Sequence, residues 1–206
     1  MLSAVMLWIS ATVLWWSGWR EEAAEGIPHW AVGVFLAGWP FTLLWEMKLS
    51  STLTVNGAWI WTLAAFITLA WRIQPLRRWT ALSAGVLLGS IYLLLGRLSY
   101  YPFALSHFLS PWGLAIVLGC LSALLLRNAP EQLIAVTISL FLIDGITDVV
   151  LLPSDMMALG KSSEWVKGWW IAVLCARLWS VSMTSIKSLT TRWALRMGWR
   201  RGGQRS

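Results

Sequence analysis

The chain has 206 residues, of which 12% are Asp, Glu, Lys or Arg and 58% are hydrophobic, whereas a soluble domain is about a quarter charged. With a mean hydropathy of +0.66 it cannot have water as its main solvent, because a soluble fold of this size has no place for the surplus Leu, Trp, Ile and Val once its core is full. The net charge of +7 is then a topology signal of a membrane protein, and nucleic-acid binding is not needed to explain it.

Crossing about 30 Å of hydrocarbon takes about 20 helical residues. Charged or turn residues bracket seven such stretches: 2–19, 28–45, 55–71, 79–96, 108–126, 131–152 and 165–188. The first leaves through Arg20, Glu21 and Glu22; no basic residue precedes it and no A-x-A site closes it, so it is expected to be an uncleaved helix. The second contains Pro40, an expected kink. The third closes at Arg72 and the fourth follows Arg77 and Arg78. The fifth borrows residues from Ser106 to Ser110, with Ser110 as N-cap and Pro111 in the first turn. The sixth opens after Pro130 and closes before Pro153. The expected fold is all-α, a polytopic helical bundle over residues 1–188 followed by a basic cytoplasmic tail, 189–206.

Lys and Arg accumulate on the cytoplasmic side of membrane proteins. With the N-terminus outside, eleven fall inside (Arg20, Arg72, Arg77, Arg78, Arg127, Lys187, Arg192, Arg196, Arg200, Arg201 and Arg205) and four outside (Lys48, Arg97, Lys161 and Lys167). Seven crossings, N-terminus out and C-terminus in, follow. Most of the 18 tryptophans lie near the ends of spans, where interfacial anchoring explains them; Trp15, Trp16, Trp19, Trp30, Trp71 and Trp79 are expected at the inner girdle, and Trp45, Trp59, Trp61, Trp112, Trp165, Trp169 and Trp170 at the outer one. Trp8, Trp39 and Trp179 lie deeper.

Close helix packing in lipid uses small residues four apart. Span four carries Ala81, Gly85 and Gly89, span two Gly33 and Ala37, and span five Ala115 and Gly119. Packing within the bundle is the simpler reading, and a homodimer seam through span four the alternative. Cys120 and Cys175 lie inside apolar runs without a CxxC partner, as packing residues do.

One constellation goes beyond packing. Asp144 and Asp148 share a face of span six with Thr137, and Arg177 lies near the middle of span seven. Each charge at a helix centre costs roughly 2.5–3.5 kcal/mol on insertion scales, so the cluster should face inward and be paired. Counted from the outer ends at about 1.5 Å per residue, Asp144 lies about 12 Å deep and Arg177 about 18 Å, which predicts an Asp144–Arg177 pair between adjacent antiparallel spans, with Asp148 meeting Lys167. The pair acts either as a clamp or as a proton or cation relay.

In the tail, Leu189, Trp193 and Met197 alternate by turns with Arg192, Arg196 and Arg200, followed by Arg201. This is the pattern of a short basic amphipathic helix on anionic inner-leaflet lipid. No HExxH, GxSxG, phosphate loop or metal-ligand spacing occurs in the sequence, so neither enzyme chemistry nor a cofactor is expected.

The Gly18-Trp19-Arg20-Glu21-Glu22 exit, Ala37-Gly38-Trp39 and Gly168-Trp169-Trp170 resemble the small, uncharacterised YphA-like multi-pass membrane proteins of spore-forming Gram-positive bacteria. That resemblance implies a plasma-membrane location and supplies no catalytic residue. The expected function is a structural or interaction role without catalysis, in contact with the lipid bilayer and with a second copy or another membrane protein; the alternative is a small proton- or cation-coupled transporter using Asp144, Asp148 and Arg177.

Overall fold

The computed structural model describes residues 2–18, 26–48, 53–98, 111–147, 157–159 and 163–202. The protein is all-α in class. Its helices are α1 (Leu2–Trp16), α2 (His29–Leu43), α3 (Gly57–Arg72), α4 (Pro75–Leu98), α5 (Pro111–Leu125), α6 (Ala129–Ile146) and α7 (Ser163–Gly202), one for each apolar stretch of the sequence. Among the described residues, three segments are long and apolar enough to cross a membrane: Pro75–Arg97, Ala129–Ile146 and Glu164–Ile186.

Local chemistry sets the helix ends. Gly18, at φ +93°, takes the left-handed conformation just beyond α1. Asn56 caps α3, its side chain accepting from the Ala58 N–H at 2.8 Å. Pro75 opens α4 and Pro130 sits in the first turn of α6, where a missing N–H costs nothing. Helix α2 continues through Pro40 for one further turn.

The connections hold a small sheet that hydropathy did not foretell. Strands β1 (Glu46–Lys48) and β2 (Leu53–Asn56) pair antiparallel, and β2 pairs parallel with β3 (Met157–Leu159). The α2–α3 and α6–α7 connections therefore meet at one end of the bundle. At the other end Arg72 lies over the Trp30 ring at 5.4 Å, and Arg77 approaches Glu131 at 3.8 Å. Those contacts join the start of α2, the α3–α4 corner and the start of α6.

The tightest seams pair α4 with α6 and α5 with α7. Ala81 is fully buried, and a Cβ at Gly85 would lie 2.9 Å from Ile138 Cβ and 3.0 Å from the Ala135 carbonyl. The Ala81, Gly85, Gly89 stripe is therefore consumed within the chain, against α6, rather than open to a second copy. Ala115 and Gly119 do the same on α7: a Cβ at Gly119 would stand 2.5 Å from the Ala172 carbonyl oxygen, so only glycine permits this approach.

Around an apolar core the burial pattern departs from that of a water-soluble fold. Gln132, Ser122, Ser139, Thr62, Thr137 and Arg177 are buried, while Leu44, Trp16, Trp71, Leu76 and Phe41 are each more than three-quarters exposed. Exposed tryptophans such as Trp16, Trp30, Trp45, Trp71 and Trp79 fit an interfacial girdle. Trp165, Trp169 and Trp170 do not. They are buried with Trp39, stacked edge to face (Trp39–Trp170 centroids 5.2 Å, Trp169–Trp170 4.9 Å), and form core instead of girdle. Trp179, expected deeper than the girdles, is 42% exposed.

Helix α7 is one 40-residue helix, rising about 60 Å. The expected separate tail helix is its unbroken continuation. The side chains of Arg192, Arg196, Arg200 and Arg201 lie outside the described residues, as do Asp148 and the 99–110 connection.

Candidate functional site: a cavity beside Arg177

Helices α6 and α7 are antiparallel neighbours, as the sequence suggests, but in a different register. Trp169 Nε1 donates to Thr137 Oγ1 at 3.2 Å, Phe141 packs on Trp165 at 5.6 Å, and Arg177 Nη1 donates to Gln132 Oε1 at 2.9 Å. Gln132 and Asp144 are twelve residues apart on α6, about 18 Å of helical rise, so a guanidinium held by Gln132 cannot also reach Asp144. The expected Asp144–Arg177 pair is thus replaced by two separate contacts. Opposite Arg177, α6 presents Gln132 where the depth count put Asp144, an offset of about three turns.

Asp144 instead accepts from Trp59 Nε1 at 3.1 Å, an indole whose ring also meets Phe141 edge to face at 4.5 Å. Lys167 pairs with Glu164 of its own helix at 2.9 Å; Asp148, its expected partner, lies outside the described residues.

Gln132 is the polar node that hydropathy conceals. It is 1% exposed; its Nε2 donates to the Leu126 carbonyl at 2.8 Å while its Oε1 accepts from Arg177. One amide so joins the end of α5, the start of α6 and the middle of α7. Next to it, Glu131 accepts from Asn128 Nδ2 at 2.7 Å and faces Arg77.

Beside this node a cavity of about 640 Å³ opens between α1, α2, α3, α6 and α7. Its wall is overwhelmingly apolar, with Trp15, Phe35 and Trp170 among its aromatics; Arg177, Thr137 and Arg72 supply polar groups. This volume lies within the ~300–1,000 Å³ typical of ligand pockets, which likewise combine apolar walls with a few placed polar groups. Among the described residues, no three His, Cys, Asp or Glu side chains gather as metal ligands would.

Comparison with family models, curated proteins and solved structures finds no match. Arrangement alone therefore has to carry the functional reading. Arg177 was visible in the sequence as a charge inside an apolar run; Gln132 and Trp59 were not, because one is uncharged and the other sits where an interfacial anchor would.

Proposed function

We propose that this chain is a multi-pass plasma-membrane protein that crosses the bilayer seven times, N-terminus outside and C-terminus inside, with a structural or interaction role and no catalysis. The surface carries the reading: many large apolar side chains face outward while Gln132, Thr137 and Arg177 face inward. Only a surrounding of lipid makes that distribution favourable.

The pairing of connections supports the alternation. The sheet groups the second and sixth connections; Arg72–Trp30 and Arg77–Glu131 group the first, third and fifth. Parity of this kind follows when successive helices run in opposite directions. The arginine-rich end is then the cytoplasmic one. A plasma-membrane location and the likeness to YphA-like proteins belong to this same proposal, as does contact of the basic C-terminal run with anionic lipid.

A carrier relaying protons or cations through Asp144, Asp148 and Arg177 is less favoured, since Arg177 is held by Gln132, about three turns of α6 away from Asp144. Two measurements test the proposal. Alkaline carbonate washing should leave the chain in the membrane pellet, and proteoliposomes should show no proton flux that Asp144→Asn abolishes. Release into the supernatant, or such a flux, would overturn it.

A further inference from the structure

The cavity has a long axis and a charged end. Its α7 wall runs from Trp169 to Val181, about 18 Å of rise, slightly more than one leaflet of a ~30 Å hydrocarbon core. Near one end lie buried Arg177 and, at the mouth, exposed Arg72 against exposed Trp30. This is the end that carries Arg77 and Glu131. Thr137 and the aromatic core close the other end. An apolar slot of leaflet length with two guanidinium groups at its interfacial end matches the shape and charge of an amphiphile with an acyl tail and an anionic head.

A second observation points the same way. Trp15 lines the cavity against Gly33, one turn along α2 from Trp30 at the mouth, and its indole N–H is buried without an acceptor among the described residues. Buried indoles ordinarily find one, and the carbonyl or head oxygens of a lipid are acceptors. Arg177 donates to Gln132 Oε1, a contact that orients the guanidinium beside the cavity.

We propose that this cavity binds one acyl chain of an anionic membrane amphiphile, whose carboxylate or phosphate oxygens sit against Arg177 with Arg72 at the mouth. The inference rests on the membrane reading above and deepens it. A bound amphiphile would tie α1, α2 and α3 to the α6–α7 pair.

The full-length chain, purified and delipidated in a neutral detergent, is titrated with oleate, dioleoylphosphatidylglycerol and dioleoylphosphatidylcholine, and bound adducts are counted by native mass spectrometry. Preference for one or both anionic probes by about tenfold or more over the zwitterion is expected, the scale of a hydrogen bond to a charged group; oleate against phosphatidylglycerol separates carboxylate from phosphodiester recognition. Arg177→Gln should erase the preference, and Ala65→Phe, which fills the cavity wall, should weaken all three. The double change Arg192→Gln with Arg196→Gln should leave the preference intact. A preference that survives Arg177→Gln, or that vanishes with the tail arginines instead, overturns the site. If Arg177→Gln fails to fold by circular dichroism, Arg72→Gln and Ala65→Phe decide, because neither touches the Arg177–Gln132 bond; unchanged binding in both overturns the proposal. Carbonate extraction of the same variants reports separately on the membrane reading.

Discussion

Trp59 Nε1 donates to Asp144 Oδ2 at 3.1 Å across 85 residues of sequence, fastening the start of α3 to the end of α6. A carboxylate at a helix C-terminus faces the negative end of the macrodipole, so an outside donor is what makes Asp144 tolerable there. Trp59→Phe keeps the ring contact with Phe141 and removes the donor. It should cost about 1–3 kcal/mol, read as a lower thermal midpoint in detergent, while Asp144→Asn, which still accepts, should cost less. Equal midpoints for Trp59→Phe and the parent chain would contradict this.

The Arg177–Gln132 bond makes a sharper contrast. Gln132→Leu leaves a buried guanidinium without this acceptor and should destabilise by about 2–3 kcal/mol; Gln132→Glu should be tolerated. In double-mutant cycles Arg177 should couple to Gln132 by at least about 1 kcal/mol and to Asp144 by close to zero. A large coupling with Asp144 would restore the pair that the register excludes.

Glycine substitutions separate the seams. Gly119→Ala drives a Cβ to 2.5 Å from a backbone oxygen, whereas Gly168→Ala meets nothing within 4 Å. Overpacking of this kind costs roughly 1–3 kcal/mol, so the first should lower the thermal midpoint and the second should not. Identical effects would mean that α5 and α7 do not meet at Gly119.

Across that same seam the free thiols of Cys120 and Cys175 are neighbours. Mild oxidation of the purified monomer should link them within one chain, with both free thiols lost by mass and no dimer on a non-reducing gel. Dimers as the main product would place the two cysteines on outer surfaces.

Hydropathy made the helices legible because one apolar run per helix suffices to mark it, and proline and asparagine marked several starts. It missed β1, β2 and β3, since three or four residues such as Leu53–Asn56 carry too short an alternation to stand out beside 20-residue runs. It misplaced Trp165, Trp169 and Trp170 because a tryptophan near a span end looks the same whether it faces lipid or a neighbouring helix. The site was half visible. Arg177 stood out by the cost of its charge, but its partner depended on interhelical register, which counting residues from the span ends does not fix.

The central claim is alternation across a bilayer, and sided labelling addresses it most directly. In a background carrying Cys120→Ala and Cys175→Ala, single cysteines replace Glu46, Glu164, Gln74 and Arg127, all exposed. A membrane-impermeant maleimide should label positions 46 and 164 on intact cells, and positions 74 and 127 only after permeabilisation. Labelling of all four on intact cells, or of 46 and 74 from the same side, would contradict the account.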